Sequence, residues 1–82
     1  MQDLVEKIVR ALVEQPDEVK VKEVQGKVGV LIEIEVNPTD RRFVIGKQGR
    51  NIEAIRHLLS CVGVARDLKV RVHLVGDDPG PR

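Results

Sequence analysis

Apolar and polar residues along this chain fall into a helical period, then a strand period, then both again. Leu4, Val5, Ile8, Val9, Leu12 and Val13 form a stripe at a period near 3.6, with Asp3, Glu6, Lys7, Arg10 and Glu14 mostly opposite. The spacing predicts an amphipathic helix over residues 3–14, ended by Pro16, which disfavours helical geometry at Gln15. Residues 19–24 then alternate through Val19, Lys20, Val21 and Lys22, until parity breaks at Val24. Residues 28–36 alternate again, with Val28, Val30, Ile32, Ile34 and Val36 on one face and Gly29, Leu31, Glu33 and Glu35 on the other. These are two strands of a hairpin, with Gly26-Lys27-Val28-Gly29 at its turn.

Asn37-Pro38-Thr39-Asp40 reads as a turn that supplies an N-cap, Thr39 or Asp40, to a short helix over residues 41–45. In the longer helix that follows, Ile52, Ile55, Leu59 and Val62 form one apolar row and Ala54, Leu58 and Cys61 another. Two rows predict burial on more than one side, and Gly63 is the expected stop. A third strand covers residues 68–75, with Leu68, Val70, Val72 and Leu74 inward and Lys69, Arg71 and His73 outward. Gly76 closes this region, and residues 77–82, without apolar side chains, are expected to be a disordered tail to a single domain over 1–76.

The order is therefore α-β-β-α-α-β, an α+β class. The two-helix connection between strands two and three predicts a parallel crossover, whereas the hairpin makes strands one and two antiparallel. Charge puts strand two in the centre: Glu33 and Glu35 would lie between Lys20/Lys22 on one side and Lys69/Arg71 on the other. Three strands in the order 1-2-3 make a mixed sheet.

Between the two crossover helices lies Ile45-Gly46-Lys47-Gln48-Gly49-Arg50-Asn51-Ile52. Gly46 follows an apolar run where a helix needs a left-handed residue, and Gly49 precedes a helix whose first amides have no intrahelical partner. Such amides beside Lys47 and Arg50 suit an anion, phosphate above all. With Val44-Ile45 in front and Ile52 and Ile55 behind at helical spacing, this G-x-x-G resembles the loop of the KH domain, the module that clamps about four nucleotides of single-stranded RNA. The resemblance, carried by Val44 to Ile52, implies a type II KH fold with its helices on one face of the sheet. Within that family it is most similar to the small stand-alone bacterial KhpA-like proteins. It further implies an RNA chaperone or post-transcriptional regulator in the cytoplasm, acting as a homodimer or with a second KH-domain protein. Gly26 to Gly29 is also G-x-x-G, but its strand flanks make it a hairpin turn and no binding role is assigned to it.

Composition narrows this picture. A chain of 82 residues has one small core and buries about 60–65% of the surface that its unfolded form exposes. No apolar run approaches the ~20 residues of a membrane span and no signal peptide is visible, so a cytoplasmic protein without membrane contact is expected. Net charge is only +1, but residues 40–56 carry five basic and two acidic side chains, whereas residues 1–39 carry five basic and eight acidic. A basic patch on a nearly neutral domain fits a few phosphate contacts. Cys61, the lone cysteine, is expected to be a small buried apolar residue.

The expected RNA contacts are Arg42, Ile45, Gly46, Lys47, Gln48, Gly49, Arg50, Asn51 and Ile52, with phosphates on the amides of Lys47 to Arg50. Bases would turn towards Ile45, Ile52, Ile55 and the edge of the third strand. Phe43 is the only aromatic residue, so aliphatic groups must replace the usual stacking platforms. No cofactor, metal site or enzymatic activity is expected: G-x-x-x-x-G-K-[ST], G-x-S-x-G and H-E-x-x-H are all missing, and His57 and His73 stand alone. The rival reading is a KH-fold interaction or dimerisation module with weak or no RNA binding. The resemblance implies that acidic residues in mid-loop go with lost binding, and here those positions are Lys47 and Gln48.

Overall fold

The computed structural model describes residues 1–76; the tail expected at 77–82 lies outside the described residues. Helix α1 (Gln2–Leu12) buries Val5 and Val9 completely and carries a Glu6–Arg10 ion pair at 3.0 Å on its wetter side. It ends two residues before the predicted end. Val13 is already extended (φ −99°, ψ 162°), and Pro16 opens a 3₁₀ turn through Glu18.

Strands β1 (Lys20–Gln25) and β2 (Gly29–Glu35) form the predicted antiparallel hairpin, closed by Gly26 N–H donating to Gly29 O at 2.7 Å. Val28 does not face inward as predicted. It belongs to the turn rather than the strand and is 79% exposed. Helices α2 (Arg41–Ile45) and α3 (Arg50–Ala65) then lead to β3 (Lys69–Leu74), which pairs parallel with β2. Sheet order β1-β2-β3 and the mixed pairing are those expected. Val30, Ile32 and Ile34 of central β2 meet Val5, Val9, Val44, Ile55 and Leu59 from the helices in one continuous core.

On the open face, Lys20 opposes Glu35 and Lys22 opposes Glu33, as predicted. The β3 side is displaced by four residues from the expected pairing of Glu33 and Glu35 with Lys69 and Arg71: Glu33 meets His73, Arg71 meets Leu31, and Lys69 meets Gly29. Alternation fixes which face a residue takes, but register depends on where the chain enters the strand. That entry is set by the end of α3. Gly63 does not stop the helix; it lies inside it, buried, where a Cβ would come within 2.5 Å of Leu68 O. Two residues past the helix, Asp67 takes the left-handed conformation (φ 57°). Leu68 N–H donates to Gly63 O at 2.7 Å and Asp67 N–H to Val64 O at 3.2 Å, the paired bonds of a Schellman ending.

Asp40 is not a side-chain cap for α2. Fully buried, its Oδ2 accepts the Gln15 N–H at 3.0 Å and so ties the α1–β1 connection to the start of α2. The capping bond nearby is made by Asn37, whose Oδ1 accepts from Thr39 N–H at 2.9 Å. The second apolar row of α3 is also not buried. Ala54, Leu58 and Cys61 are exposed, Leu58 to 43%, because the sheet covers only one side of the helix.

Candidate nucleic-acid interface

Gly46 ends α2 at φ 79°, ψ 174°, a conformation essentially confined to glycine. A Cβ there would lie 2.6 Å from Asn51 Cγ. A 3₁₀ turn over Lys47–Gly49 follows, in which Gln48 (φ 57°, ψ 26°) and Gly49 (φ 76°, ψ 12°) are both left-handed. The helix is therefore broken between residues 46 and 49, and the chain re-enters α3 at Arg50. The turn uses some of its own donors: Gly46 N–H donates to Arg42 O, Gly49 N–H to Gly46 O and Arg50 N–H to Lys47 O. Of the amides expected to meet phosphate, those of Gly49 and Arg50 are thus engaged, and the expectation narrows to Lys47 and Gln48.

The polar side chains of this loop point two ways. Lys47, Gln48 and Arg50 are exposed, with Arg50 Nη2 3.5 Å from Gln48 Oε1. Asn51 turns inward, and its Nδ2 donates to Phe43 O at 2.8 Å, satisfying a carbonyl near the end of α2. Arg42 is exposed and rests its guanidinium 4.8 Å from the Phe43 ring centroid. Arg41, also among the basic residues of 40–56, instead lies against Gly76 with its Nε enclosed. Ile45 is half-buried at the base of the loop, whereas Ile52 (7% exposed) and Ile55 belong to the core.

A groove of about 530 Å³ lies between α3 and the edge strand β3, lined by Glu53, Arg56, His57, Ser60 and Val72 among others. Arg56 spans it, paired with Glu53 at 2.9 Å and donating from Nη2 to Val72 O at 3.4 Å. Arg56 is one of the five basic residues of 40–56, but its position over β3 follows from the packing of α3, which no local pattern records. Among the described residues no group of three or more His, Cys, Asp or Glu side chains is placed to hold a metal ion. No helix there is long and apolar enough to cross a membrane.

A family model described as "KhpA/KhpB, KH domain" matches residues 2–74, from the first turn of α1 to the end of β3. The chain belongs to this KhpA/KhpB KH-domain family. Among its relatives, the RNA-binding protein KhpA of Clostridium perfringens is 40% identical over 75 residues, covering 92% of this chain and 100% of that protein. The RNA-binding protein KhpA of Chlamydia pneumoniae is 45% identical over 74 residues, covering 90% and 92%. That of Aquifex aeolicus is 41% identical over 63 residues, covering 77% and 80%. No solved structure matches. The three-stranded mixed sheet, with β2 and β3 parallel, is consistent with a KH-domain fold.

Proposed function

We propose that this chain is a single-stranded RNA-binding protein, without enzymatic activity, that clamps about four nucleotides on its glycine-bracketed loop. The observation that carries the reading is the break at residues 46–49, with Lys47, Gln48 and Arg50 exposed around it and the Lys47 and Gln48 amides left for phosphate. The relatives named as RNA-binding proteins support the same class. In this reading Lys47, Gln48, Arg50 and Arg42 meet the sugar-phosphate chain and Ile45 meets a base. Gly46 and Gly49 shape the turn, and Asn51 and Ile52 hold it from beneath. The family resemblance extends the proposal to an RNA chaperone or post-transcriptional regulator in the cytoplasm.

The decisive experiment replaces Lys47→Asp together with Gln48→Asp. Both side chains are exposed, so circular dichroism and melting should change little while retention of unstructured RNA is lost; unchanged RNA affinity would remove the loop from the mechanism.

A partner surface is favoured by a separate observation. The exposed row of Ala54, Leu58 and Cys61 gives α3 an apolar stripe that the domain itself does not cover. It supports association with a second copy or with another KH-domain protein, which would raise the effective concentration of weak single sites.

A further inference from the structure

The open face of the sheet is divided by charge. At one end Lys20 and Lys22 oppose Glu35 and Glu33 across β1 and β2. At the other, Lys69 and Arg71 stand beside Gly29 and Leu31, and among the described residues neither forms a salt bridge. They border a pocket of about 430 Å³ whose remaining wall is apolar, chiefly Val24, Val28 and Leu31. Aliphatic side chains exposed beside uncompensated cations match the two parts of a nucleotide, a base face and a phosphate. Among the described residues none of those lining the pocket is acidic.

Its position makes it continuous with the groove. Because α3 reverses tightly at Asp67 into β3, the loop at the start of α3 lies toward the Leu74 end of the strand and the pocket lies at the Lys69 end. Arg56, bonded to Val72 O, marks the middle. Arg71 borders both the α3–β3 groove and the open-face pocket. Arg56, then Arg71 and Lys69 follow one another along β3, which spans about 16 Å, while Lys47 and Arg50 stand at the start of α3. The geometry points to a second contact surface for the same RNA strand: beyond the loop, its flanking nucleotides round the β3 edge at Arg71 and end on the pocket formed by Lys69, Leu31 and Val24. This inference rests on the loop-binding reading and extends the footprint past the nucleotides that the loop holds.

The test compares a tetranucleotide with an octanucleotide of the same unstructured RNA, on the full chain and on Lys69→Gln with Arg71→Gln. The wild-type protein should bind the longer RNA more tightly, with a steeper salt dependence by about 0.7 in log–log slope for each added phosphate contact. The double Gln variant should keep its melting temperature and its tetranucleotide affinity but lose the octanucleotide advantage and the added slope. An equal loss for both lengths would place these cations within the loop-proximal groove and overturn the extended path. So would no loss at all, which would leave Lys69 and Arg71 as charges that only deter edge-to-edge strand pairing. Lys47→Asp with Gln48→Asp is measured alongside. If that variant binds both RNAs like the wild type, the loop reading itself fails, whatever the Gln variant does.

Discussion

Asn51 Nδ2 donates to Phe43 O at 2.8 Å, joining the first turn of α3 to the last of α2 across the loop. Gly46 lies so close above this bond that any side chain there would strike Asn51. Of the two left-handed residues that follow, Gln48 is not a glycine, and its conformation costs energy that such fixed contacts must offset. Asn51 therefore acts as a brace for the loop. Asn51→Leu keeps the branched shape and removes the donor, and it is expected to lower stability by about 1 kcal/mol and to weaken RNA binding several-fold by releasing a pre-formed loop. Melting curves and RNA titration check both; full RNA affinity with a lowered melting point would confine Asn51 to stability alone.

Gly63→Ala inverts an ordinary rule. In an exposed helix interior this change gains up to about 1 kcal/mol, but here the new methyl would sit 2.5 Å from Leu68 O and 3.0 Å from Val70 Cγ2. Forced shifts of this kind cost about 1–3 kcal/mol, so the variant should unfold at a lower denaturant midpoint. A midpoint at or above that of the wild type would mean that α3 and β3 are less tightly joined than the Schellman bonds describe.

Asp40→Ala strands the Gln15 N–H in a partly buried site and should destabilise by about 1–3 kcal/mol. Asp40→Asn retains an acceptor oxygen and should recover part of that loss. Equal denaturant midpoints for the two variants would show that the carboxylate's charge, not its bond to Gln15, is what matters.

Leu58→Glu places a charge in the exposed row of α3. If this row mediates self-association, light scattering should report a smaller particle than the wild type at equal concentration while the circular dichroism spectrum is retained. A wild type that is already monomeric at high concentration would leave the row for a different partner.

Most of the architecture was legible because hydrophobic period and turn chemistry act locally. The 3.6 period gave α1, the alternation gave β2, and the bounds 41–45 of α2 follow from the Asn37-Pro38 turn and Gly46. The loop was equally legible, since two glycines around Lys47 and Gln48 at a helix junction constrain the backbone by themselves. The failures share a cause. Val28, Gly63, Cys61 and Leu58 were assigned by residue type, yet their burial depends on which neighbour arrives, and Asp40 looked like a cap because its distant partner at Gln15 has no local signal.

What the sequence by itself determined is the order of elements, the antiparallel hairpin and the break in the chain at Gly46 to Gly49, because each is settled by periodicity, turn chemistry or backbone freedom within a few residues. Only the tertiary structure decided the β3 register, the inward turn of Asn51 and the placing of Arg56 and Arg71 along one strand. Those depend on how far α3 runs and how closely it packs on the sheet, distances set by contacts between residues far apart in the chain.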